Sequence, residues 1–106
     1  MNLFGISEKS CKLILSSFSS YPAIEEVIIF GSRAKGNYRN GSDIDLAIKG
    51  EACTHLLAME LSGKLNEGLP VPYHIDVVDY SSLENMELKE HIDRVGLVFY
   101  KKKAIP

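Results

Sequence analysis

Val27-Ile28-Ile29-Phe30-Gly31-Ser32 is followed, after ten residues, by Asp43-Ile44-Asp45-Leu46-Ala47-Ile48. The first run is continuous and apolar, is rich in β-branched residues and stops at a glycine, so it reads as a buried strand. The second alternates: Ile44, Leu46 and Ile48 share one side, and Asp43, Asp45 and Ala47 share the other, which is the period of a strand with one face in the core. Between them, residues 31–42 (GSRAKGNYRNGS) form a polar, glycine-rich connector in which Asn40-Gly41 signals a tight turn. Gly31-Ser32 is placed to leave the strand and open a short helix.

Working outward, Ser7 can cap a helix running to about Ser20, because Cys11, Ile14, Leu15 and Phe18 fall on one helical face and Pro22 follows. A second helix is expected over roughly 52–67, with Leu57, Leu61 and Leu65 at four-residue steps, ended by Gly68 and Pro70. Ile75, Val77 and Val78 mark a third strand. Ser81 with Glu84 has the spacing of a capping box for a third helix carrying Met86, Ile92 and Val95; Gly96 ends it, and Leu97–Tyr100 suits a short terminal strand. The expected fold class is α/β (α+β): a small mixed sheet with helices packed on it. The chain of 106 residues suits a single domain over 1–106.

Composition is that of an ordinary globular chain, 45% hydrophobic and 25% charged. The net charge of −2 gives no argument for a nucleic-acid surface. No apolar run is long enough to span a bilayer, and the N-terminus lacks a charged region followed by an apolar core, so a cytoplasmic protein is expected. Cys11 and Cys53 stand in unrelated contexts and read as reduced, partly buried thiols. His55, His74 and His91 share no metal-ligand spacing and read as surface or packing residues.

The chemistry lies in the acids. Asp43 and Asp45, two apart on a strand, point the same way, and two close carboxylates repel unless a cation lies between them. Hard oxygen ligands of this kind suit Mg²⁺ held together with substrate phosphates. Asp76, inside an apolar strand, takes the face opposite Ile75 and Val77, and beside the first pair it can bind a second ion and accept a proton from an attacking hydroxyl. Asp79 falls on the core side at the strand end and reads as a turn or cap residue. Backbone N–H groups at Gly31-Ser32 attract phosphate, and Arg33 or Lys35 can neutralise it. Each piece alone has a plainer explanation; together they point to phosphoryl-type chemistry.

Gly31-Ser32, ten residues, then Asp43-Ile44-Asp45 resembles the GSx₁₀DxD signature of the DNA polymerase β-like nucleotidyltransferases. The fuller GSRAKG…GSDIDLAI is similar to the minimal nucleotidyltransferases (MNT), small proteins often paired with a HEPN-domain partner in toxin–antitoxin modules. The resemblance covers about residues 24–80 and includes IDVVD. It implies a polymerase β-like fold, with Gly31 and Ser32 as phosphate-binding residues and Asp43, Asp45 and Asp76 as metal-binding and catalytic carboxylates. It also implies a basic residue at Lys35, two Mg²⁺ ions, ATP as donor, and transfer of AMP to a hydroxyl. In the toxin–antitoxin members that hydroxyl is a tyrosine of the HEPN toxin, which is silenced. Larger relatives carry a helical domain for base and acceptor; the thirty or so residues after Asp76 cannot build one, so the acceptor is expected on a HEPN partner or a second copy of the chain. Two alternatives stay open: an antitoxin that blocks a HEPN ribonuclease by contact without transfer, and a transferase acting on a small molecule, as in resemblance to the aminoglycoside nucleotidyltransferases.

Overall fold

In the computed structural model, which describes residues 4–103, the chain runs α1 (Glu8–Phe18), β1 (Glu26–Phe30), α2 (Gly31–Lys35), β2 (Ile44–Lys49), α3 (His55–Gly68), β3 (Ile75–Asp79), a 3₁₀ turn (Tyr80–Ser82), α4 (Met86–Val95) and β4 (Leu97–Lys101). The four strands form one mixed sheet in the order β3-β2-β1-β4. β1 is antiparallel to both β2 and β4, whereas β2 and β3 are parallel and joined through α3. The single-domain expectation spans 1–106, beyond the described residues at both ends.

The two sheet faces are covered unequally. On one, Val27, Ile29, Ile44, Leu46, Ile48 and Ile75 pack against Ile14 and Phe18 of α1 and Ala58, Leu61 and Leu65 of α3, and all of these are essentially inaccessible to water. On the other, Ile28, Phe30 and Ala47 meet Ile92 of α4, with Val78, Tyr80, Leu83, Leu88 and Val95 around them. α4 thus covers only part of the second face. A mixed sheet with helices is the expected architecture, and it is the one found.

Helix ends follow local chemistry. The Ser7 hydroxyl accepts from Ser10 N–H and the Thr54 hydroxyl from Leu57 N–H. α3 stops where Leu69, which precedes Pro70, is extended (φ −109°, ψ 139°). One expectation needs correction: Ser81 and Glu84 do not form a capping box. The Ser81 hydroxyl donates to Asp79 instead, the chain makes a 3₁₀ turn, and α4 starts four residues later with Asn85 Oδ1 accepting from Leu88 N–H. A nearby buried carboxylate outcompetes the helix for the serine. Among the described residues no helix is long and apolar enough to cross a membrane. Cys11 and Cys53 are both buried free thiols.

Candidate active site

The end of β1 and the starts of β2 and β3 meet on the half-covered face. In the antiparallel ladder Phe30 lies opposite Asp45, so the chain leaves β1 at Gly31 directly beside that carboxylate. In the parallel ladder Asp45 lies opposite Asp76. Side chains at paired positions project to the same face, so the register alone sets two carboxylates side by side. Asp43 stands just before β2. Its carboxylate, that of Asp76 and the His74 imidazole each offer a ligand atom, all within 4.8 Å of one another and exposed.

Charge at this point is strained. Asp45 is half-buried, and its carboxyl is pushed up to about 6 by burial, then by the Asp76 and Asp43 charges, with His74 pulling the other way. Two like charges and partial desolvation oppose ionisation. A divalent cation among the three acids relieves both, and the donor set of carboxylate oxygens with one imidazole fits a hard or borderline ion.

Gly31 has φ +76°, and a Cβ there would collide with Asp45 Oδ2. Only glycine gives both the left-handed backbone and the close approach. Gly31 and Ser32 then form the first residues of α2, which closes on Gly36 at φ +85°. Lys35 is exposed on the last turn of α2.

Arg33 requires correction. Its guanidinium does not wait for phosphate: Nε and Nη2 donate to Ser42 O at 3.1 and 2.8 Å, and Nη1 donates to Phe4 O at 2.9 Å. The Tyr38 and Tyr73 rings flank it, each centroid 5.1 Å away. Only 3% of the residue is exposed. The side chain ties the 31–42 connector to the N-terminal segment, with all three of its nitrogens donating there. Tyr38 is one wall of this arrangement.

His74 is the functional candidate that sequence reading missed. Its Nε2 lies 3.2 Å from Asp76 Oδ1. The available signal was its position two residues before Asp76 on the same strand face, the spacing that made Asp43 and Asp45 a pair. His55 is exposed, and His91 packs edge-on against Phe30 (centroids 6.1 Å). Asp79, on the opposite face from Asp76, is buried and accepts from the Ser81 and Ser82 hydroxyls, a turn role as expected.

The fold and sequence have known counterparts. A family model described as "Polymerase beta, Nucleotidyltransferase" matches residues 12–105. The Haemophilus influenzae protein named "Probable protein adenylyltransferase MntA" is 31% identical over 74 residues, which make up 70% of this chain and 64% of that protein. The chain therefore matches just under two thirds of that relative's length. A toxin–antitoxin crystal structure with AMP-PNP superposes with a TM-score of 0.69 at 23% identity, covering 92% of this chain and 76% of the other. A chain of the Shewanella oneidensis complex of tri-AMPylated HEPN toxin with MNT antitoxin gives 0.59 at 20% identity, over 87% and 73%. At these identities the two structures speak for the fold. The family model spans most of the chain, including Gly31-Ser32, the acidic pair Asp43 and Asp45 and the third acid Asp76, and on that ground the chain belongs to the polymerase beta nucleotidyltransferase family.

Proposed function

We propose that this chain is a nucleotidyltransferase that moves AMP from ATP to a hydroxyl, and that the acceptor is a tyrosine of a HEPN-domain toxin for which the chain is the antitoxin. The observation carrying this reading is the register that sets Asp45 against Asp76, with Asp43 at the mouth and the Gly31 bend beside them. The similar protein named as an adenylyltransferase and the similar toxin–antitoxin complexes support the direction and the partner.

In this reading Asp43, Asp45 and Asp76 hold two Mg²⁺ ions, which when bound neutralise phosphate charge and the departing pyrophosphate. The Gly31 and Ser32 backbone and the Ser32 hydroxyl orient the phosphates; Lys35 stands at their rim. The acceptor oxygen attacks the α-phosphorus, a new O–P bond forms, the α–β bridge breaks, and pyrophosphate leaves with the bond's electrons. Asp76, the outermost strand acid, takes the hydroxyl proton. His74, at 3.2 Å from Asp76, orients that carboxylate.

The test is incubation of the chain with labelled ATP, Mg²⁺ and the protein encoded by the neighbouring gene. Label on a toxin tyrosine, lost in Asp43→Ala with Asp45→Ala, is the expected result. A toxin inhibited without label, and equally by the double variant, would establish contact inhibition instead.

A further inference from the structure

β3 is an edge strand, and an edge leaves every second residue's N–H and C=O without a ladder partner. Ile75 is such a residue. Ile44 N–H donates to His74 O at 2.9 Å, so the groups flanking Ile75 face β2, and its own N–H and C=O face outward. Both are met by one side chain of α3. Asn66 Oδ1 accepts from Ile75 N–H at 2.8 Å, and Asn66 Nδ2 donates to Ile75 O at 2.7 Å. Asn66 Nδ2 also donates to Ser62 O at 2.8 Å, and the Ser62 hydroxyl gives Ile75 O a second donor at 3.2 Å. The carboxamide thus stands where a fifth strand would pair, at one residue only. That residue is the one between His74 and Asp76. Asn66, Ser62 and Asp76 also line the same groove.

We propose that Asn66 is a positioning residue for the reaction: by gripping both backbone groups of Ile75 from the open edge, it holds Asp76 and His74 at the height of Asp45 and Asp43. Local edge strands fray, and a carboxylate on a fraying strand spreads over positions from which it cannot share an ion with its neighbours. A two-point amide grip resists both the sliding and the twisting of that residue. A carboxamide presents an acceptor and a donor side by side in one plane, which matches the outward N–H and C=O of Ile75, and from α3 Asn66 reaches both. The inference deepens the functional reading above and rests on it.

The experiment is Mn²⁺ binding to the whole chain, followed by electron paramagnetic resonance, with circular dichroism to confirm folding. Asn66→Ala is expected to raise the Mn²⁺ Kd about tenfold or more, the range typical of residues that orient metal ligands. Ser62→Ala, which removes only the second donor, is expected to raise it less. Asn66→Asp, which keeps the acceptor but sets an oxygen against Ile75 O, is also expected to raise it. In an Asp76→Asn background, Asn66→Ala is expected to add little further loss, because it acts through Asp76; a purely structural role predicts the same loss in both backgrounds. A folded Asn66→Ala with wild-type Mn²⁺ affinity overturns the inference; if that variant does not fold, wild-type affinity in both Asn66→Asp and Ser62→Ala overturns it. Mn²⁺ binding by wild type that survives Asp43→Ala with Asp45→Ala overturns the reading of the site, and the inference with it.

Discussion

The two faces of the sheet are built from alternate residues of the same strands, yet they obey different rules. On the α1/α3 face every inward position of β2 is a branched aliphatic residue, and burial is complete. On the α4 face the same strand presents Asp45 and Ala47, and of the two only Ala47 joins the apolar cluster. β3 shows the contrast within five residues. Asp79 on the sealed face is buried and tied to two serine hydroxyls, whereas Asp76 on the open face is exposed among other acids. The sealed face supplies stability, and the open face gives some of it up to gather like charges. Removing side chains from the two faces should therefore have opposite signatures.

The sharpest test of that contrast is Asp45→Asn. Loss of the central carboxylate is expected to lower transfer at least about a thousandfold, some 4 kcal/mol of barrier, in a labelled-AMP assay, while the chain stays folded. Asp45→Asn with near wild-type transfer would sink the division between the faces. Next, Leu46→Ala, one position along on the sealed face, is expected to cost about 3 kcal/mol in urea unfolding, with metal affinity per folded molecule unchanged. Third, Arg33→Met is expected to lose about 2 kcal/mol of stability, since it leaves Ser42 O and Phe4 O without their donors, and to leave the KM for ATP within about twofold. A large rise in KM with stability intact would return Arg33 to the nucleotide site.

The smallest expected effect is a pH dependence without metal. The folded Asp45 carboxyl lies at about 6 and the unfolded one near 3.8. Between these values the native chain retains a proton that the unfolded chain has released, so stability falls as pH rises through that window. Solvent screening at a half-buried site brings the loss to on the order of 1 kcal/mol. Thermal melts from pH 4 to pH 7 should show it in wild type and not in Asp45→Asn, and saturating Mg²⁺ should cancel it by favouring the ionised form.

Much of this was legible in the order of residues. The apolar run Val27–Phe30, the alternation from Asp43 to Ile48, the Ser7 cap and the Asn40-Gly41 turn are local signals, and a local signal needs no knowledge of what packs nearby. The site was legible to the extent that spacing two on a strand implies a shared face, which brought out Asp43 with Asp45 and set Asp76 apart from Ile75 and Val77. The same rule applied to His74 and Asp76 would have found the histidine. Ser81 failed as a cap because its hydroxyl donates to the Asp79 carboxylate two residues earlier, and the chain makes a 3₁₀ turn there.

What the sequence alone determined is the set of strands, their inward and outward faces, and the identity of the acids, because side-chain direction along a strand follows from backbone geometry. What only the tertiary structure decided is which strand lies beside which, and at what register. Asp45 meets Asp76 because β2 and β3 pair in parallel with no offset, Arg33 is buried because Phe4, Tyr38 and Tyr73 converge on it, and Asn66 reaches Ile75 because α3 crosses the open edge. Each of these joins residues on different elements of the fold, and no periodicity within a segment encodes such a contact.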